Sequence, residues 1–301
     1  MKRINKTDSR IYRTAYGWFA VLFSIPFIAI GTYFALAGFG YLPIPGKVNG
    51  PLWVLGTVGL AFAMSGLVLC SHGIRGVMQK RRAAAVGQYG LSSSGEPWLV
   101  DYPWDRRGIW DNASGRCIHM LTGFILFAVF MSPFNWWAFL SGEGPLMVKL
   151  IVGLFDAITI GIFVAFIYRL LQYAKFGSSY LEFLNFPFFP GGKLKVALSP
   201  HRFEEMDVTL RFVEERFETH GSGKNRSQTL VTYEHYSEKV KLQEPMTFDK
   251  LGIEFDIPEN PDWVNRLSAD PGVRYWELVV EASVPGIDFR TTFPVPVYKR
   301  P

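Results

Sequence analysis

The chain has 301 residues, of which 49% are hydrophobic and 19% charged, with a formal net charge of +5. These averages conceal two kinds of segment, because four long stretches within the first 175 residues are almost free of charge and the remainder is not. With two cysteines only, a disulfide framework is excluded, so a water-exposed domain in this chain must be held by a packed core.

Residues 1–14 carry Lys2, Arg3, Lys6, Arg10 and Arg13 against Asp8. One apolar stretch then runs from Ala15 to Leu42 and another from Val48 to Ile74, with only Lys47 in the turn between them. A helix needs ~20 apolar residues to cross about 30 Å of hydrocarbon, so 15–74 reads as a transmembrane hairpin. The first stretch is too long for a signal-peptide core and is expected to remain as an anchor. Gly56, Gly59, Ala63 and Gly66 recur at helical spacing and would let backbones approach closely. Pro26 is expected to kink the first span, and Tyr33, Phe39 and Tyr41 to sit at the outer interface.

Residues 75–116 form a long connection with Arg75, Lys80, Arg81, Arg82, Arg106, Arg107 and Arg116. Its prolines and tryptophans form no amphipathic helix. Trp98, Trp104 and Trp110, with Arg106 and Arg107, instead suggest an extended segment lying on lipid headgroups or against the C-terminal domain, or serving as a partner or ligand platform.

A second hairpin follows at 117–175, with apolar stretches at Cys117–Gly142 and Leu150–Tyr168 joined through Glu143 and Lys149. Basic residues thus gather before the first span, between the second and third, and at Arg169 and Lys175 after the fourth. By the positive-inside rule both termini and the central connection are expected in the cytoplasm, and four crossings agree with that. Pro133 is expected to perturb the third span, and Trp136 and Trp137 to join the outer aromatic belt.

Asp156 is the acid set deep in a span, where an ionised carboxylate is costly. It is expected to face the other helices and to find a hydrogen-bond partner such as Ser65, Thr57 or Thr122. Its alternative role is in an ion or proton pathway. Cys70-Ser-His72 and Cys117-Ile-His119 lie at the inner ends of the second and third spans. Two thiolates and two imidazoles suit tetrahedral zinc or cuprous copper. Residues two apart on a helix point about 200° from one another, so neither pair can chelate one ion unless its helix frays.

Residues 176–192 form a juxtamembrane linker made aromatic by Tyr180, Phe183, Phe186, Phe188 and Phe189, which are expected to dock onto the membrane or the helical bundle, with Phe186, Phe188 and Phe189 as a membrane-interface or partner platform. In 193–301 apolar residues alternate: Leu194, Val196, Leu198; Val208, Leu210, Phe212; Ile253, Phe255, Ile257; Trp276, Leu278, Val280, Ala282; Phe293, Val295, Val297. Period-two alternation predicts strands with one face in a core, and about seven strands predict a β-sandwich of immunoglobulin-like class. Glu204, Glu205, Glu214 and Glu215 are expected on a solvated face, and His201, His220 and His235 in scattered polar roles.

Two resemblances refine this reading. The segment Glu96-Pro97-Trp98 followed by Trp104 resembles one that recurs between the second and third spans of a group of bacterial four-span integral membrane proteins, several with an extramembrane β domain at the end. It implies that architecture and a bacterial inner-membrane setting, and no reaction. Phe255–Pro258, Tyr275–Gly286 and Phe289–Tyr298 resemble the end of an arrestin-like sandwich, which implies a domain that binds proteins through its edges and loops.

The chain has no Gly-rich phosphate loop opening a helix, no nucleophile elbow and no His-Glu-x-x-His pair. It also has no arginine stripe with interleaved aromatics to suggest nucleic acid. The expectation is a cofactor-free, non-catalytic scaffold, accessory or regulatory protein of the inner membrane, with lipids and a protein as partners. One alternative is a transporter or pore, as a homo-oligomer, with Asp156 in its pathway. The other is an effector or immunity protein of bacterial conflict systems.

Overall fold

The structure of the protein, a computed structural model, describes residues 2–4, 17–44, 51–88, 98, 102, 104–142, 144–199, 203, 205–220, 227–243, 250–267 and 272–300. Lys6, Asp8, Arg10, Arg13, Lys47, Glu96, Pro97, Glu143, His201, Glu204 and the turn at 221–223 lie outside the described residues. The chain divides into a helical unit, Ala15–Met78 with Ser114–Leu171, and a β unit, Met1–Thr14 with Gln79–Ala113 and Gln172–Pro301.

Among the described residues, four helices are long and apolar enough to cross a membrane. They are α1 (Gly17–Gly38), α2 (Leu52–Gln88), α3 (Ala113–Asn135), which continues into a π-helical turn at Trp136–Leu140, and α4 (Leu146–Phe176). The share of each apolar window that is buried is 17, 28, 11 and 6% in that order. Leu154, Ile160 and Val164 of α4 each lie 60% or more exposed. Apolar exterior of this extent is consistent with a membrane protein.

The glycines of α1 and α2 explain how this hairpin closes. A Cβ added at Gly31 would lie 2.4 Å from Ala63 N, and one at Gly59 would lie 2.3 Å from Ala35 N. Backbone meets backbone there, as the spacing of Gly56, Gly59, Ala63 and Gly66 predicts. Helix α1 continues through Pro26. In α3, Pro133 has no N–H to give Val129 O, and the Ser132 hydroxyl donates to that carbonyl at 2.8 Å. The ladder then loosens into the π turn, closed by Ser141 N–H to Trp136 O at 2.9 Å.

The β unit contains β1 (Lys2–Ile4), β2 (Gly108–Trp110), β3 (Tyr180–Phe183), β4 (Lys193–Leu198), β5 (Met206–His220), β6 (Ser227–Leu242), β7 (Leu251–Asp256), β8 (Gly272–Ala282) and β9 (Phe289–Val295). They form two antiparallel sheets, ordered β1-β6-β5-β8-β9 and β2-β3-β4-β7. Every period-two set named above enters one core, with Leu194, Val196, Ile253 and Phe255 from the second sheet and Leu210, Phe212, Trp276 and Phe293 from the first.

The strands are not confined to 193–301. β1 comes from the N-terminus and pairs Arg3 with Tyr233 of β6, while β2 comes from the central connection and pairs Ile109 with Leu181 of β3. Strands of three and four residues are too short to show a period, which is why the sequence does not announce them. The long β5–β6 hairpin carries a bulge: Phe212 faces Tyr236 and Val213 faces Glu234, leaving His235 as the extra residue.

Glu214 and Glu215 correct an expectation. They are 8% and 0% exposed and do not lie on a solvated face. Glu215 belongs to the side of β5 that packs with Val213, Val273 and Tyr275, and the Tyr275 hydroxyl donates to it at 2.9 Å. Glu214 meets His235 Nε2 at 2.8 Å and the Arg274 guanidinium at 3.4 Å. A buried carboxylate needs such partners to offset its lost hydration.

Candidate functional site

In the helical unit the polar focus is Asp156, half-buried on α4. Its Oδ1 accepts a hydrogen bond from Asn135 Nδ2 at 2.8 Å. Asn135 ends α3 just before the π turn, so Pro133 and the loosened ladder set the place from which the amide reaches across. The partner is therefore Asn135 and not Thr57 or Thr122, whose hydroxyls donate to carbonyls of their own helices, Trp53 O at 2.9 Å and Ile118 O at 2.8 Å. Hydroxyls one turn from a carbonyl satisfy themselves locally, and a longer amide is left to bridge. The sequence held a signal for it, because Asn135 is an amide inside an apolar run on the other arm of the same hairpin.

The two Cys-x-His pairs separate. His72 and His119 bring their rings to 6.5 Å between centroids. The buried Cys117 turns instead to α4, where its Sγ donates to Arg169 O at 3.4 Å, and Cys70 is half-buried on α2. No group of three or more His, Cys, Asp or Glu side chains able to hold a metal ion occurs among the described residues.

The eight aromatic and basic platform residues also part company. Trp98 is 6% and Phe188 1% exposed. Trp98 stands edge-on to Phe189 at 6.2 Å and lies the same distance from Tyr298. Trp104 donates its indole N–H to the Tyr298 hydroxyl at 2.9 Å and packs against the core. Phe188 bonds through its backbone to Pro296 O at 3.0 Å and from Tyr298 N at 2.9 Å, and Phe186 stacks on Phe183 at 6.1 Å. Phe189, half-buried, has the Arg300 guanidinium 5.7 Å above its ring. These five aromatic side chains are packing of the β unit, while Arg106, Arg107 and Trp110 remain exposed.

Near them are Tyr180, one of the aromatic residues of the linker, and Asp111, which the sequence does not single out. Tyr180 of β3 pairs with Trp110, and the two rings lie tilted to one another with centroids 4.8 Å apart. Burial first, then the charges of Asp105 and Glu182, hold its phenol above the ordinary tyrosine range. No local pattern links residues seventy apart, so only the β2–β3 ladder reveals this pair. The same region closes with Asp111, whose N–H donates to Ser179 O at 2.9 Å and whose Oδ2 accepts from Thr291 Oγ1 at 3.2 Å.

Among the described residues, no strand pairs with the outer edge of β7. β7 ends the four-stranded sheet and pairs with β4 on one side. Ile257 N–H donates to Gly192 O at 2.9 Å, and the two-residue alternation then turns the backbone groups of Gly252, Glu254 and Asp256 away from β4. Lys193 neutralises Glu254 at 2.6 Å, and this ion pair holds the Glu254 carboxyl below its ordinary range.

No protein-family model matches the chain. No curated protein matches it either. Among solved structures, a similarity is found to Spo0M, the sporulation control protein of Bacillus subtilis, at 14% identity and a TM-score of 0.26 over 40% of this chain. The chain spans 48% of the length of that structure, and a likeness this slight carries no argument about function.

Proposed function

We propose that the protein is a non-catalytic scaffold, accessory or regulatory protein of a bacterial inner membrane. Four helices anchor it, and an arrestin-like β-sandwich presents an edge to a protein partner in the cytoplasm. The observation that carries this reading is the origin of the strands. The N-terminus, the connection after α2 and the chain after α4 all contribute to one β unit. If the four helices cross a bilayer, those three segments must share a side, and their basic residues assign that side to the cytoplasm. β7 then offers main-chain groups to which an extended peptide can add as a further strand.

Two measurements test it. A reporter fused after Pro301 should be active in the cytoplasm only, and periplasmic activity would discard the topology. A photoreactive residue at position 252 should capture one protein in cells, and Gly252→Pro, which blocks strand addition without disturbing the pairing to β4, should abolish that adduct. A folded Gly252→Pro chain that keeps the adduct rules out the edge.

The Asn135–Asp156 hydrogen bond supports a second reading, a homo-oligomeric pore or transporter with Asp156 in its path. Asp156→Asn keeps the size and a hydrogen bond but removes the titratable group. Flux lost in a normally folded variant favours the pore, and an unchanged phenotype favours the scaffold.

A further inference from the structure

Among the described residues of the β unit, the large apolar side chains left exposed are Trp110 at 64%, Leu184 at 59% and Tyr173 at 36%. All three adjoin the apolar helices in sequence. Trp110 precedes α3 by three residues, Tyr173 lies in the last turn of α4, and Leu184 follows α4 by eight residues. Strands β4 to β9 leave no such side chain exposed among their described residues. Apolar exposure gathered on the segments that adjoin the helices is the pattern that a bilayer surface would produce.

Charge accompanies the exposed indole. The turn at 105–108 is closed by Gly108 N–H to Asp105 O at 3.3 Å and by Arg107 N–H to Asp105 Oδ1 at 2.9 Å, and it presents Arg106 and Arg107 to solvent. Beside it, the Glu182 carboxylate is neutralised by Lys250 at 2.7 Å. Trp110 rests on Tyr180, so the indole is held in place while its outer face stays open. An amphipathic ring next to guanidinium groups is the combination that suits the headgroup layer, where the ring takes the ester level and the cations take phosphate oxygens.

We propose that Trp110, Arg106 and Arg107 form a contact for the headgroups of anionic phospholipids. The inference rests on α1 to α4 crossing a bilayer and is independent of the protein that β7 binds. The test uses the full-length chain in nanodiscs of mixed phosphatidylcholine and phosphatidylglycerol, with retained lipids counted by native mass spectrometry. Each arginine near an anionic surface is worth about fivefold in preference, so Arg106→Ala with Arg107→Ala should lower the selectivity for phosphatidylglycerol by roughly 25-fold. A folded double variant with undiminished selectivity overturns the proposal.

If the double variant does not fold, the unsubstituted chain still decides. The emission lost on Trp110→Phe isolates this indole, and brominated phosphatidylglycerol should quench it. An isolated Trp110 signal that the brominated lipid leaves unchanged also overturns the proposal. Failure of the chain to enter nanodiscs of phosphatidylcholine alone would remove the membrane reading itself and this contact with it.

Discussion

In the hairpin of α1 and α2, a methyl group added at Gly38 would come within 2.1 Å of Gly56 N, whereas at Gly123 of α3 and at Gly153 and Gly161 of α4 the same addition meets nothing within 4 Å. The first hairpin is a fit of backbones. The second is joined by side chains: Asn135 to Asp156, Cys117 to Arg169 O, and the ring pairs Phe124–Phe163 at 5.0 Å and Phe127–Phe155 at 6.3 Å. Both hairpins are equally apolar in sequence, so hydropathy does not distinguish them. Close backbone approach tolerates no added volume, and side-chain contact across a wider gap tolerates volume but not altered chemistry.

The largest effect should come from volume. Gly38→Leu should destabilise the protein by about 3 kcal/mol or more, and Gly161→Leu should stay within about 0.5 kcal/mol of the parent, as read from unfolding of both in one detergent. Equal losses would erase the contrast. Next comes chemistry: Asn135→Leu removes the amide that holds Asp156 and should cost roughly 0.6 to 1.7 kcal/mol, with hydrogen exchange rising in α3 and α4 and not in α1. Cys117→Ala removes a weaker sulfur donor and should cost about 0.5 to 1 kcal/mol in the same assay.

A further effect, confined to alkaline pH, lies in the β unit and serves as an outside reference. Tyr236, of which the hydroxyl donates to Glu238 at 2.7 Å, has its pKa pushed up from 10.0 to about 12 by burial and then by that carboxylate. The neutral phenol is favoured in the folded chain, so its contribution is complete below pH 10 and is lost as the pH rises toward about 12. Denaturant midpoints measured across that alkaline range should fall in the parent and fall less in Tyr236→Phe, with the helical unit unaffected.

Particular residues show how much the chain discloses before it folds. Leu194, Phe212, Phe255, Trp276 and Phe293 are legible as core because a strand repeats its faces every second residue. Trp98 and Trp110 look alike in the sequence, twelve positions apart in one basic, proline-containing connection, yet one is 6% and the other 64% exposed. What separates them is contact with Phe189 and Tyr298, which come from distant parts of the chain. Asp156 is legible as an acid within an apolar span in want of a partner, and Asn135 as an amide in the opposite arm, but that the two meet is decided by the π turn after Pro133, which sets the end of α3.

The sequence by itself determined two kinds of segment in this protein, through the lengths of its charge-free stretches, the one-sided placement of its basic residues and the alternation that follows them. These are local quantities, set by covalent order and the period of each element. Only the tertiary structure decided that β1 and β2 join strands seventy or more residues away, that Glu215 lies buried against Tyr275, and that Trp110 stays exposed on Tyr180. Such pairings depend on which distant surfaces meet, and no periodicity within a segment encodes the register of its partner.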